Sequence, residues 1–267
     1  MKIVHFSDMH VALPPDSLSG YFDKRLLGTL NYAFRRRFLH DQTLLKHLAD
    51  FILDLNPDVA VCTGDLTSTG QPAEFQTALD FLRPILEAKN IELLYVPGNH
   101  DAYVKNKRCV AALAETFTTL NGGEITLDAL PSSKTISGIE FILINESFPT
   151  NLVLSNGTIT KSTEKKLCEI CSKKKTTPRI LVGHFPIKPL LSRRHGLLNA
   201  APLRKLLENE SIDLSLCGHT HKPMIDINDK GQGEATAGSF TRTCDVNVIE
   251  YSPKSNIFKI NNVKFKR

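Results

Sequence analysis

Residues 93–101 read Leu93-Leu94-Tyr95-Val96-Pro97-Gly98-Asn99-His100-Asp101, an apolar run that empties through Pro and Gly into Asn, His and Asp. That construction is a buried strand ending in a loop. Four other segments repeat it: KIVHFSDMH (2–10), DVAVCTGD (58–65), RILVGH (179–184) and LSLCGHTH (214–221). One such segment could arise by chance, but five in one chain is a strong signal. Each delivers oxygen or imidazole groups at the C-terminal end of a strand, where α/β sheets build their sites. Asp8 and His10 are two residues apart, so an extended chain points both to one side. Amphipathic helical patterns separate the first segments, over 41–55, 73–88 and 105–120. Short strands dominate the C-terminal part. The alternation predicts an α/β fold, two sheets in contact and covered by helices.

The candidate ligands are Asp8, His10, Asp65, Asn99, His184, His219 and His221, which offer two carboxylates, one amide oxygen and four imidazoles. A single zinc needs only about three or four protein ligands, so this set is too large for one ion. Two ions sharing Asp65 would fit. Mixed oxygen and nitrogen donors suit divalent Mn, Fe, Zn or Co better than Ca or Mg. Two such cations exceed the charge of two carboxylates, so the site should attract an anion and hold an ionised water. Paired ions of this kind stabilise the attacking and leaving oxygens of an in-line displacement at phosphorus.

In this order, D-x-H, G-D, G-N-H-D, G-H and G-H-x-H, the motifs resemble those of the calcineurin-like metallophosphoesterases. The resemblance runs from Asp8 to His221 and implies a β-sandwich of two mixed sheets flanked by helices, the metallo-dependent phosphatase fold. It further implies that Asp8, His10, Asp65 and His221 hold one metal, and that Asp65, Asn99, His184 and His219 hold the other. His100 would be the non-ligand histidine that meets the phosphoryl oxygens or the leaving group, with Asp101 orienting it. Many members have Asp three residues after the G-D aspartate; Ser68 stands there, at a non-ligand position that bears on substrate preference.

Within the family, the chain resembles small bacterial members that hydrolyse cyclic nucleotides and other phosphodiesters by attack of an ionised water held between the ions. The alternative is a pyrophosphatase acting on a nucleotide-sugar lipid of the UDP-2,3-diacylglucosamine type. A metal-free scaffold is disfavoured because none of the seven ligands is missing. A nuclease is disfavoured because no concentrated basic face or added domain is visible. A phosphoprotein phosphatase is disfavoured because Leu66-Thr67, and not Arg, follows the G-D pair.

Composition agrees with a single metallophosphoesterase domain over residues 1–267 acting on a small phosphorylated substrate, with no stable nucleic-acid partner. Hydrophobic residues make up 41% and charged residues 23%, ordinary for a globular chain, and the net charge of +5 favours anionic ligands. Met1 leads straight into a ligand strand, and no apolar run approaches the about 18 residues of a spanning helix. The six scattered cysteines, with Cys62 and Cys217 inside ligand strands, read as buried thiols of a reducing compartment, and a cytoplasmic location is expected.

The stretch 18–39, LSGYFDKRLLGTLNYAFRRRFL, interleaves apolar residues at helical spacing with Lys24, Arg25, Arg35, Arg36 and Arg37. A helix pair packed on the body is the plainest reading. Its position directly after Asp8 and His10 suggests a helical cap beside the metals, and its composition a peripheral membrane contact. His40 and His47 are expected to be surface or structurally satisfied histidines, and Glu146 a solvated loop carboxylate. Cys168 and Cys171, on a lysine-rich helix with no second Cys pair, share a face without forming a metal site. Arg193, Arg194 and His195 lie in a basic loop expected to be solvated, at the rim of the cleft. The runs MIDI, EATAGSF, DVNVIEY and IFKINNVKF are expected to form one final antiparallel set.

Overall fold

A computed structural model describes residues 1–34, 36–151 and 154–266. Its strands are β1 (Lys2–Phe6), β2 (Val59–Cys62), β3 (Glu92–Tyr95), β4 (Ser132–Ile136), β5 (Ile139–Leu143), β6 (Gly157–Thr158), β7 (Arg179–Val182), β8 (Leu197–Leu198), β9 (Leu214–Cys217), β10 (Met224–Ile227), β11 (Gly233–Thr236), β12 (Asp245–Ser252) and β13 (Ile257–Lys264). The α-helices are α1 (Lys24–Phe34), α2 (Leu45–Asp54), α3 (Pro72–Glu87), α4 (Lys107–Leu120), α5 (Lys161–Ser172), α6 (Ala201–Glu208) and α7 (Phe240–Thr243). Two large mixed sheets result. One has the order β13-β12-β1-β2-β3 and the other β10-β11-β9-β7-β5-β4, while β6 and β8 form a small parallel pair.

Strand periodicity explains the layering. Successive side chains point to opposite faces of a sheet. Phe141 and Leu143 of β5 and Ile180 and Val182 of β7 therefore join the main core, which also contains Ile3, Val4 and Val61 of the first sheet. Their alternates Ile142 and Leu181 pack instead with Leu167 of α5 and Leu203 of α6. Helices α2, α3 and α4 add Leu48, Leu82 and Phe117 to the main core. Both faces of the inner strands are buried, which is why β2, β7 and β9 read as continuous apolar runs.

Parallel pairing sets the site. Strands β1, β2 and β3 run in one direction in the first sheet, and β5, β7, β9 and β11 are mutually parallel in the second. The C-terminal ends of the five ligand strands can then converge on one edge of the sandwich. Asp41 caps the short helical turn before α2 through a bond from the Thr43 amide.

The last four strands do not form one set. Strand β10 pairs antiparallel with β11, which joins the second sheet beside β9. After α7 the chain crosses over, so β12 pairs with β1 and β13 closes the first sheet. Each hairpin alternates similarly in sequence, and only the long-range partner separates them.

Candidate metal centre

Each candidate ligand sits just past its strand. Asp8 and His10 follow β1, Asp65 follows β2, Asn99 follows β3, His184 follows β7, and His219 and His221 follow β9. The backbone there is unusual. Eleven described non-glycine residues have positive φ, and five of them are Asp8, His10, Asp65, His219 and His221. Side chains rarely adopt this left-handed conformation, and such strain concentrates at functional sites. Gly98 is required by close approach, since a Cβ there would collide with the carboxylate and backbone of Asp65.

The side-chain atoms fall into two groups around Asp65. Ligand-type atoms of Asp8, His10, Asp65 and His221 lie within 4.8 Å of one another, and so do those of Asp65, His184 and His219. Asp65 Oδ1 accepts from the His100 amide at 2.7 Å. Its Oδ2 faces His10 Nε2 at 3.7 Å and His184 Nε2 at 3.5 Å, between the two groups. Asp8 Oδ2 accepts from the His219 amide at 3.0 Å, while Oδ1 faces His221 Nε2 at 3.2 Å and His10 Nε2 at 3.5 Å. Asn99 Oδ1 lies 3.2 Å from His184 Nε2, which brings the amide to the second group.

These residues fit a pair of cations. The Asp8 Oδ1 atom is buried and accepts no hydrogen bond, a costly state for a carboxylate unless an ion compensates. His10 Nε2 and His221 Nε2 stand only 2.9 Å apart, so two nitrogens aim at a common point. Burial lowers the His184 pKa and takes that of His219 down to about 3, against the pull of Asp8 in each case. Both imidazoles are therefore neutral and able to ligate. Burial would raise the Asp8 carboxyl, yet the imidazoles of His221 and His10 beside it hold it well below the usual carboxylate range. Backbone carbonyls set the tautomers: His184 Nδ1 donates to Thr63 O at 2.6 Å, and His219 Nε2 donates to His195 O at 2.6 Å. Nε2 of His184 and Nδ1 of His219 are thereby the unprotonated nitrogens, each with a lone pair to offer.

His100 lines the same cleft of about 320 Å³ with Asp65, Asn99, His219 and His221. Its Nδ1 lies 2.7 Å from Ser68 O, and Tyr103 stacks on its ring at 5.4 Å. Asp101 does not orient His100 through the imidazole. Its Oδ1 accepts from the Thr67 amide and hydroxyl, and its Oδ2 from the Gly98 amide and the Tyr95 hydroxyl. Burial pushes this carboxyl up, while the four donors favour its ionised form. Asp101 thus fastens the 97–101 turn to the 64–67 loop, and the orienting contact on the ring comes from Ser68. The same Ser68 donates its hydroxyl to His10 O, which ties the departure from the family pattern to the site.

Three residues acquire contacts that their local sequence did not indicate. Glu146 is 1% exposed and not solvated; its Oε2 accepts from the His184 and Phe185 amides, and burial takes its pKa to about 8. His195 lines the cleft, with Nδ1 2.6 Å from Ser155 Oγ. His40 is buried beside the ligands, its ring 5.2 Å from those of His10 and His221, with Nδ1 bonded to Thr241. His47 remains exposed, and Cys168 and Cys171 are free thiols.

The sequence model of the calcineurin-like phosphoesterases matches residues 1–223. The chain belongs to that family. Among calcineurin-like relatives, it is 25% identical over 222 residues to a cAMP/cGMP dual specificity phosphodiesterase of Mycobacterium tuberculosis, covering 82% of this chain and 61% of that one. It is 31% identical over 183 residues to a probable cyclic nucleotide phosphodiesterase of Vesicomyosocius okutanii, covering 67% of this chain and 68% of that one. The chain thus matches less than two thirds of the length of the mycobacterial relative. In structure it is similar to a dimetal phosphatase from Danio rerio, with a TM-score of 0.64 and 14% identity over 93% of this chain and 91% of that one. Its fold is that of the metallo-dependent phosphatases.

Proposed function

We propose that the chain is a dinuclear-metal phosphodiesterase acting on a small phosphorylated substrate such as a cyclic nucleotide. The observation that carries an organic phosphoester as substrate is the shape of the cleft. It does not close around a single phosphate. At Leu191 it meets a second cavity of about 510 Å³ with an apolar floor that includes Ile187 and Leu197 and a rim that includes Arg193 and Arg204. An organic group on phosphorus held at the ligand cluster can then extend into that cavity. The phosphodiesterase relatives support the diester reading.

In this proposal Asp8, His10, Asp65 and His221 hold one ion, and Asp65, Asn99, His184 and His219 hold the other. When bound, such a pair polarises the phosphoryl oxygens and supplies an ionised water at neutral pH. Mn, Fe, Zn and Co all suit the donors. The protein does the rest. The Ser68 carbonyl holds His100 with Nδ1 protonated, so Nε2 would meet a substrate oxygen in the cleft. From there the imidazolium donates a hydrogen bond to a phosphoryl oxygen or a proton to the leaving alkoxide. The six free thiols support a cytoplasmic setting.

A pyrophosphatase acting on a nucleotide–diacylglucosamine is the second reading, favoured by the apolar floor of the adjoining cavity. One screen separates the two. Metal-loaded protein is assayed against bis-p-nitrophenyl phosphate, p-nitrophenyl phosphate, cyclic nucleotides and nucleotide-sugar lipids. Turnover of cyclic nucleotides well above that of the monoester supports the first reading. Turnover confined to the sugar lipid transfers the function to the second, and absence of any phosphoester turnover under saturating Mn or Zn rejects both.

A further inference from the structure

Helix α1 presents its apolar stripe to solvent and its polar stripe to the protein. Leu27, Leu30 and Phe34, at spacings i, i+3 and i+7, are 50%, 41% and 78% exposed. The opposite stripe is Arg25, Gly28, Thr29 and Tyr32. Arg25 is only 1% exposed, Gly28 packs against Thr69 and Tyr103, and Thr29 and Tyr32 line a small cavity with Glu74. An ordinary surface helix has the reverse arrangement. The turns on either side continue the pattern, with Phe22 88% and Phe38 72% exposed. Seven of the eleven large apolar side chains exposed among the described residues fall between Tyr21 and Leu39. Clustered exposure of this kind marks an interaction surface.

The charge of the stretch selects the partner. Residues 17–40 carry Lys24, Arg25, Arg35, Arg36 and Arg37 against Asp23 alone, a surplus of four on a chain whose net charge is +5. A second copy meeting the same face would set that surplus against itself. Phe22 and Phe34 also project as separate rings from a turn and a helix. A lipid headgroup layer accepts isolated rings without a matching pocket.

We propose that the exposed apolar face of α1 and its flanking turns docks on the surface of a bilayer containing anionic lipid, with Phe22, Phe34 and Phe38 inserted at headgroup depth. Arg37, exposed beside Phe38, supplies attraction to the headgroups. The docked face adjoins the metal centre. Gly28 touches Tyr103, which stacks on His100, and His40, at the end of the stretch, lies against His10 and His221. Docking therefore brings the cleft to the membrane surface whichever phosphoester it hydrolyses.

The test uses the full chain and co-sedimentation with vesicles of phosphatidylcholine alone or mixed with phosphatidylglycerol. Wild-type protein should partition onto the mixed vesicles, weakly onto the neutral ones, and less as salt rises. The triple variant F22S/F34S/F38S should lose about tenfold or more of that binding. R37Q should lose about fivefold, the effect of one basic residue near an anionic surface. Both variants should keep the melting temperature and the turnover of bis-p-nitrophenyl phosphate, which separates loss of docking from loss of fold or catalysis. Absence of binding to mixed vesicles at low salt, or equal binding to both kinds, overturns the proposal. So does a wild-type dimer in sedimentation velocity that the triple variant abolishes, which would assign the face to a second copy. Retention on immobilised polyglutamate without vesicle binding would assign it to an acidic protein.

Discussion

Asp65 holds the loop of another ligand segment with one carboxylate oxygen while the other faces histidines of both groups. Removing it acts on two sites at once. Asp65→Ala should bring a metal content near two ions per chain close to zero, measured by elemental analysis after reloading, whereas His221→Ala should spare one ion. His100 is expected to behave differently. His100→Ala should keep the metal content and lower kcat by about 10²–10⁴, the range for a positioned acid or base. A smaller loss with p-nitrophenyl esters than with alkyl esters indicates proton donation to the leaving group; an equal loss indicates charge stabilisation. A mutant that keeps its fold but loses one ion would show His100 to be a ligand. The candidate ligands could be read in sequence because each follows its own strand within a few residues. Glu146 could not, since what makes it structural is the approach of the amides of His184 and Phe185, 38 and 39 residues away. His195 likewise gains its place from Ser155, 40 residues away.

At the scale of elements, the loop 66–71 between β2 and α3 is held by a buried acid at the start of that helix. Glu74 accepts from the Thr69 amide and hydroxyl and from the Leu13 amide, and burial raises its pKa from 4.5 to about 7. Between those values the folded protein retains a proton that the unfolded chain releases. Stability attributable to this group is therefore present below the unfolded value and lost as pH rises toward 7. The loss is on the order of 3 kcal/mol. Denaturant melts from pH 4.5 to 7.5 should fall less steeply for Glu74→Gln than for wild type; parallel curves would mean that Glu74 is ionised throughout. The elements themselves were legible wherever a local pattern decides them, as for the five ligand strands and for α2, α3 and α4. Pairing was not. Strands β10 to β13 show similar alternation, yet β11 adds to β9 and β12 to β1. The helical spacing of α1 was visible too, but its inverted orientation depends on Thr69 and Tyr103 packing against Gly28.

For the whole molecule, the consequence is a link between metal binding and the sandwich. Asp8, His10, Asp65 and Asn99 come from the first sheet, and His184, His219 and His221 from the second, so both ligand groups draw on both layers. The two sheets already share a core, with Phe141 and Val182 packed in the same cluster as Ile3 and Val61. The apoprotein should therefore fold. It would nevertheless keep Asp8 and Asp65 at most 1% exposed, with the neutral imidazoles of His184 and His219 close by. An ion that binds the folded state alone stabilises it by about 2.7 kcal/mol at a hundred times its Kd, and two ions by about twice that. At about 2–4 °C per kcal/mol for a large domain, chelation should lower the melting temperature by roughly 10–20 °C, and Mn or Zn should restore it. Asp65→Ala should melt near the chelated wild type and respond little to added metal, because its shared ligand is gone and one buried carboxylate has been removed. A large metal-dependent shift that survives in Asp65→Ala would place the stabilising ions elsewhere and separate metal binding from this edge of the sandwich.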